Sequence, residues 1–211
     1  MQRLVIVSNR VPAIRDRKQP AGGLAVALKE AIRDRPCLWF GWSGQQVADC
    51  ADRPLGMDTV GHVTYATIAL THKEYNGFYQ GYSNAVLWPL CHYRAGLMHY
   101  SRHDQQVYVH VNTLFANRLA PLLEQDDMVW VHDYHLFPLG RILRGLQVKA
   151  RIGFFLHIPF PPWSLMRALP EAAVLMRALR AYDVIGVQTE DDARNMNEAF
   201  AVLGIPARAR V

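Results

Sequence analysis

Arg10 closes the segment Ser8-Asn9-Arg10 behind an apolar run, where its planar guanidinium fork suits a phosphate held by paired hydrogen bonds. The plainer alternative is a loop arginine in a surface ion pair. Gly22 and Gly23 stand between a basic loop (Arg15, Arg17, Lys18) and a helical pattern. Glycines there let a ligand approach backbone N–H groups at a helix start, where the dipole favours anions, although a simple turn uses them equally well. Trp42, Tyr79 and Trp88 are candidate sugar platforms, because an aromatic face suits the C–H face of a pyranose; core packing is the competing use. The segment 78–94 mixes such aromatics with Ser83, Asn84, His92 and Arg94, a polarity unusual for a plain core helix. The run HDYH at 132–135 contains metal-ligand types. A turn directly behind a strand does not bring His132, Asp133 and His135 to one face, so the favoured reading has Asp133 accepting hydrogen bonds from sugar hydroxyls. His157 is read the same way, with Pro159 and Pro161 stiffening its loop, against the alternative of a structural histidine.

These residues need elements to position them. Short apolar runs at 3–7, 38–41, 63–70, 128–131, 152–156 and 184–187 read as strands buried on both faces of a parallel sheet. Helical patterns lie between them at 23–33, 71–82, 104–123, 136–146 and 189–203. Thr71 and Glu74 have capping-box spacing. Thr189 precedes Glu190, Asp191 and Asp192, and Gly204 stands where a left-handed cap belongs. Alternating strands and helices predict an α/β fold with a Rossmann-like parallel sheet and helices on both faces. Ligands in such sheets bind beyond the carboxyl ends of the strands. Polar and aromatic residues cluster repeatedly behind these runs (8–10, 42–44, 132–135, 157–159, 188–190), so that rim is the predicted site.

Composition narrows the class. In 211 residues, 51% are hydrophobic and 19% charged, as in a globular protein with a sizeable core, and no apolar run is long enough to span a bilayer. The N-terminus starts a strand without a signal-peptide pattern, and Cys37, Cys50 and Cys91 form no CxxC pair; these features predict a cytoplasmic protein with reduced thiols. The net charge of +5 is scattered, without a basic helix, which fits a phosphorylated small substrate better than nucleic acid or membrane. The glycine fingerprint GxGxxG and the P-loop are missing, which counts against an ordinary dehydrogenase or kinase.

The motifs SNR (8–10), AGGL (21–24), WFGWSG (39–44), YSNAVLWPLCHYR (82–94), WVHDYHL (130–136), RIGFFLHIPFP (151–161) and YDVIGVQTEDD (182–192) occur in one order and spacing. In them the chain resembles glycosyltransferase family 20, the trehalose-6-phosphate synthase family, almost from end to end. PWSL after HIPFP departs from the variants expected there. The resemblance implies a GT-B architecture, two Rossmann-like domains facing across a cleft. It implies transfer of glucose from UDP-glucose to glucose 6-phosphate with retention, no metal or other cofactor, and the leaving phosphate itself taking the acceptor proton. That accords with the lack of a glycosidase-type carboxylate pair. By motif, Arg10 would grip the acceptor phosphate while Tyr79, Trp88 and Asp133 contact the acceptor. Gly22 and Gly23 would approach the donor diphosphate, and His157 would touch the donor glucose, making Asp133 and His157 the catalytic candidates. Residues 1–211 then form the N-terminal, acceptor-side domain. The arginine, lysine and DGMN-like segment of a donor domain do not occur in them, so the chain alone is expected to be inactive. A glucosylglycerol-phosphate synthase-like enzyme, a pseudo-glycosyltransferase and a non-catalytic sugar-phosphate-binding module are the alternatives, and a homo-oligomer is compatible with the sequence.

Overall fold

The structure, a computed structural model, describes residues 2–12, 35–49 and 52–211. Eight strands form one sheet: β1 (Leu4–Arg10), β2 (Cys37–Val47), β3 (Gly56–Val60), β4 (Val63–Thr71), β5 (Met128–His132), β6 (Arg151–Phe155), β7 (Val184–Gly186) and β8 (Ala209–Arg210). Their order is β3-β4-β2-β1-β5-β6-β7-β8, and every pairing is parallel except β3 with β4. The six expected strands are all present. β3 adds an antiparallel edge through a tight turn at Gly61, whose φ of 61° suits glycine. β8, only two residues long, closes the other edge.

The helical elements are α1 (His72–Glu74), a π-helix (Tyr75–Leu87), α2 (Trp88–Cys91), α3 (Arg102–Leu119), α4 (Leu139–Gly145), α5 (Trp163–Met166), α6 (Ala172–Leu179) and α7 (Glu190–Val202). The large core joins Val5, Val7, Phe40, Val129, Val131, Ile152 and Phe154 from the sheet to Phe78, Tyr108, Phe115, Leu143, Met176 and Phe200 from helices. Among the described residues, the opposite sheet face carries a small cluster of Leu4, Ile6, Val11, Cys37, Trp39 and Val63. The expected helix at 23–33 lies outside the described residues.

The capping box forms: Glu74 N donates to Thr71 Oγ1 (3.1 Å) and Thr71 N to Glu74 Oε2 (2.8 Å). Asp192 N donates to Thr189 Oγ1 at the start of α7, and Gly204 takes φ 62° just past its end. The helix expected over 104–123 starts earlier, at a cap where Asp104 N donates to Ser101 Oγ, and passes into a 3₁₀ turn holding Pro121. The largest departure follows Thr71. In place of an α-helix ending at Tyr82, the chain stays helical to Cys91 and most of that stretch is π-wound. Gly77 and Gly81 permit its close approach to α3, since a Cβ would come within 2.7 Å of Val107 Cβ and of the Asp104 carboxylate respectively.

Candidate functional site

The π winding arranges the site. Tyr75, Tyr79, Asn84 and Trp88 are four, five and four residues apart. An α-helix would scatter them over opposite faces, but i→i+5 winding at about 4.4 residues per turn aligns them in one stripe. That stripe leans over the carboxyl ends of β2 and β5. Tyr75 and Tyr79 stack on each other (5.5 Å) and both tilt against Trp42, at 5.3 and 6.2 Å between ring centroids. Tyr79 also stacks on His135 at 5.7 Å with nearly parallel rings, and His135 meets the Tyr134 ring at 4.0 Å. The Tyr134 hydroxyl donates to Asn84 Oδ1 (2.9 Å), which fixes the Asn84 amide.

Arg10 joins this row from β1. Its guanidinium lies 5.6 Å from the Trp42 ring, and a Cβ on Gly44 would come within 2.8 Å of Arg10 Nη2. Gly44, at φ 86°, leaves the space in which the arginine lies back over the indole. Arg10 is exposed and has no carboxylate partner among the described residues, unlike Arg3, which Asp127 holds through both oxygens (2.9 and 2.7 Å). A solvent-facing guanidinium of this kind suits an anionic ligand.

Asp133 is the strained point. It combines φ 77° with ψ 164°, a region that residues other than glycine rarely occupy, at a cost of about 1–3 kcal/mol. The conformation lets its carboxylate accept from Tyr134 N (3.1 Å) and His157 N (3.3 Å), while Asp133 N donates to Phe155 O (2.8 Å). Burial raises its pKa to about 6 although those backbone N–H groups oppose the rise. At neutral pH it is mostly a carboxylate, ready to accept hydrogen bonds from hydroxyl groups.

Arg10, Tyr79, Asp133 and His157 are therefore tied together at the rim the sequence pointed to. Trp88 belongs to the same stripe, is 37% exposed and stacks on His92 at 4.0 Å. Gly22 and Gly23 lie outside the described residues. Trp42 needs a correction: it is 5% exposed, covered by Arg10 and the two tyrosines, with its indole N–H donating to Gln45 O. It floors the site and offers no open sugar platform. Thr189 and Asp192 are scaffold, because Asp192 accepts from Phe160 N (2.7 Å) and from the Thr189 hydroxyl (2.6 Å), pinning the loop behind His157. Sequence reading gave no role to Tyr75, whose spacing from Tyr79 and Asn84 becomes a stripe only under π winding, or to Tyr134, which opens the 3₁₀ turn behind β5. The histidines of HDYH pack apart, His132 against Trp130 and His157, His135 against Phe78, Tyr79 and Tyr134. Among the described residues no group of three His, Cys, Asp or Glu side chains is placed to hold a metal.

A cavity of about 300 Å³ opens at the opposite, amino-terminal edge of the sheet, lined by Arg3, Cys37, Met57, His62 and Thr64 among others. Arg3 is already neutralised there by Asp127, and no ring stripe faces it, so the polar rim is the better candidate.

The glycosyltransferase family 20 model matches residues 2–204. A trehalose-6-phosphate synthase of Sinorhizobium fredii is 47% identical over 208 residues, covering 97% of this chain and 45% of the relative. An α,α-trehalose-phosphate synthase (UDP-forming) of Burkholderia xenovorans, solved in complex with glucose-6-phosphate, superposes with a TM-score of 0.88 at 46% identity, covering 94% of this chain and 43% of that one. A structure from E. coli bound with UDP-2-fluoro glucose gives 0.87 at 42%, with coverages of 96% and 43%. The chain thus spans less than half the length of the relatives it matches, and its sheet is that of their GT-B fold. On the family match and these likenesses together, the chain belongs to glycosyltransferase family 20.

Proposed function

We propose that the chain is the acceptor-side part of a retaining glucosyltransferase that joins UDP-glucose and glucose 6-phosphate to give trehalose 6-phosphate and UDP, working in the cytoplasm without a metal. One observation carries the reading: a guanidinium without a carboxylate partner among the described residues, a tyrosine stripe and a strained carboxylate with its pKa raised to about 6 lie along one row of contacts at the carboxyl rim. Those are the groups that an anionic hexose requires. Arg10 takes the phosphate. Tyr79 and Trp88 flank the ring, and Asp133 accepts from its hydroxyls. His157, Gly22 and Gly23 are assigned to the donor by their motifs. Relatives solved with glucose-6-phosphate and with UDP-2-fluoro glucose support the two ligand classes.

In the transfer, the acceptor's anomeric oxygen bonds to C1 of the donor glucose as the bond from C1 to the diphosphate breaks, and the departing phosphate takes the hydroxyl proton. Positive groups against that diphosphate contribute several kcal/mol each in a closed site. The chain spans less than half the length of its relatives, and we assign those groups to the part of the relatives that it does not match. The 211-residue chain, assayed with UDP-glucose and glucose 6-phosphate, is therefore expected to release UDP at a negligible rate while still binding the acceptor. Turnover comparable to that of a full-length relative would overturn the division of labour. Absence of any glucose 6-phosphate binding would overturn the acceptor assignment.

A further inference from the structure

His132 ends β5 and His157 stands just past the neighbouring β6, with His132 Nδ1 2.9 Å from His157 Nε2. His132 is 1% exposed, with its ring 4.6 Å from that of Trp130, and its Nε2 is buried without a partner among the described residues. Asp133 meanwhile accepts from the backbone N of His157. Consecutive residues of one strand end thus hold His157 by its main chain and by its ring.

We propose that His132 is a positioning residue that sets the tautomer of His157, fixing the His157 proton on Nδ1 so that the ring presents an N–H donor to an oxygen of the bound sugar. A neutral imidazole has one N–H and one bare nitrogen, and a hydrogen bond between two such rings leaves two arrangements. In one, His132 Nδ1–H donates to His157 Nε2, leaving His132 Nε2 as a bare acceptor. In the other, His157 Nε2–H donates and the His132 proton is stranded on buried Nε2. Buried donors without partners are rarer in native structures than under-used acceptors, so the first arrangement holds. Burial, together with the neighbouring His157, keeps His132 neutral, with a pKa near 3. Since His157 is only half-buried, Nδ1 is the ring nitrogen left for a ligand. The proposal rests on the glucosyltransferase reading only for the identity of that ligand.

Nitrogen-15 long-range correlation spectra of the histidine-labelled chain at neutral pH test it without any sugar. The wild-type spectrum is expected to show His157 protonated at Nδ1 with a bare, pyridine-type Nε2. In His132→Phe the Nε2–H tautomer, which free imidazole favours, should appear at His157. His132→Asn, whose amide nitrogen reaches the position of Nδ1, should restore the wild-type pattern. A protonated His157 Nε2 in the wild type would overturn the proposal, and so would an unchanged pattern in His132→Phe. Failure to bind sugar with the Nδ1–H tautomer intact would count against the functional reading alone.

Discussion

Arg10→Ala is expected to weaken glucose 6-phosphate binding roughly 10- to 100-fold, the loss of a charge-assisted contact of about 1.5–3 kcal/mol. Arg10 is the cation that β1 delivers to the rim, and no acidic side chain among the described residues competes for it. Arg10→Lys keeps the charge but loses the fork, so it should recover only part of the affinity. Calorimetric titration of the chain with glucose 6-phosphate reads both variants. Affinity for unphosphorylated glucose should be little changed by either, because the arginine is assigned to the phosphate. An unaltered dissociation constant in Arg10→Ala would remove it from the site. Because Arg10 is exposed and held mainly by its lie over Trp42, the variant should melt close to the wild type.

Acidification gives the second large effect. Burial depresses the pKa of His132 and of His135 to about 3, against about 6.5 in an unfolded chain. Between those values the unfolded state binds more protons than the folded one, so this contribution to stability is complete above about pH 6.5 and is lost as pH falls. Asp133 acts in the opposite sense. Its folded value of about 6 exceeds the unfolded one, so between about pH 4 and 6 the folded state holds the extra proton and gains on acidification. Two histidines against one carboxylate give these three groups a net slope near one proton, about 1.4 kcal/mol per pH unit between pH 6 and 4, and burial of His157, which also lowers its pKa, adds in the same direction. Urea melts across this range should show a loss of stability on acidification at least that steep. His135→Phe should flatten it by about one proton. Among the described residues the ring nitrogens of His135 have no partners, and phenylalanine fills the place between Tyr79 and Tyr134 without stranding an N–H, so stability at pH 5 should rise. A slope indifferent to His135→Phe would show that this histidine does not titrate as its burial requires.

Much of the scaffold was legible from residue order. The apolar runs became β1, β2, β4, β5, β6 and β7, and the caps at Thr71, Thr189 and Gly204 formed as their spacing required. These signals are local, which is why they survive without tertiary information. β3 escaped because every residue from Gly56 to Val60 is exposed and shows no buried period; only the glycine turn at 61 marked it. β8 is too short to carry a pattern. Trp42 has the type of a sugar platform, but its burial is decided by Tyr75 and Tyr79 arriving from another element. The π winding was invisible because apolar periodicity is read at 3.6 residues per turn. With it went the alignment of Tyr79, Asn84 and Trp88, although their spacing was in plain view.

The central claim is that an anionic hexose seats on the carboxyl rim between Arg10 and Asp133. The most direct measurement is chemical-shift mapping of the chain as glucose 6-phosphate is titrated in. The account predicts perturbations gathered at Arg10, Tyr79, Asn84, Trp88 and Asp133. Perturbations gathered around Arg3 and His62 at the opposite edge of the sheet, or none at all, would contradict it.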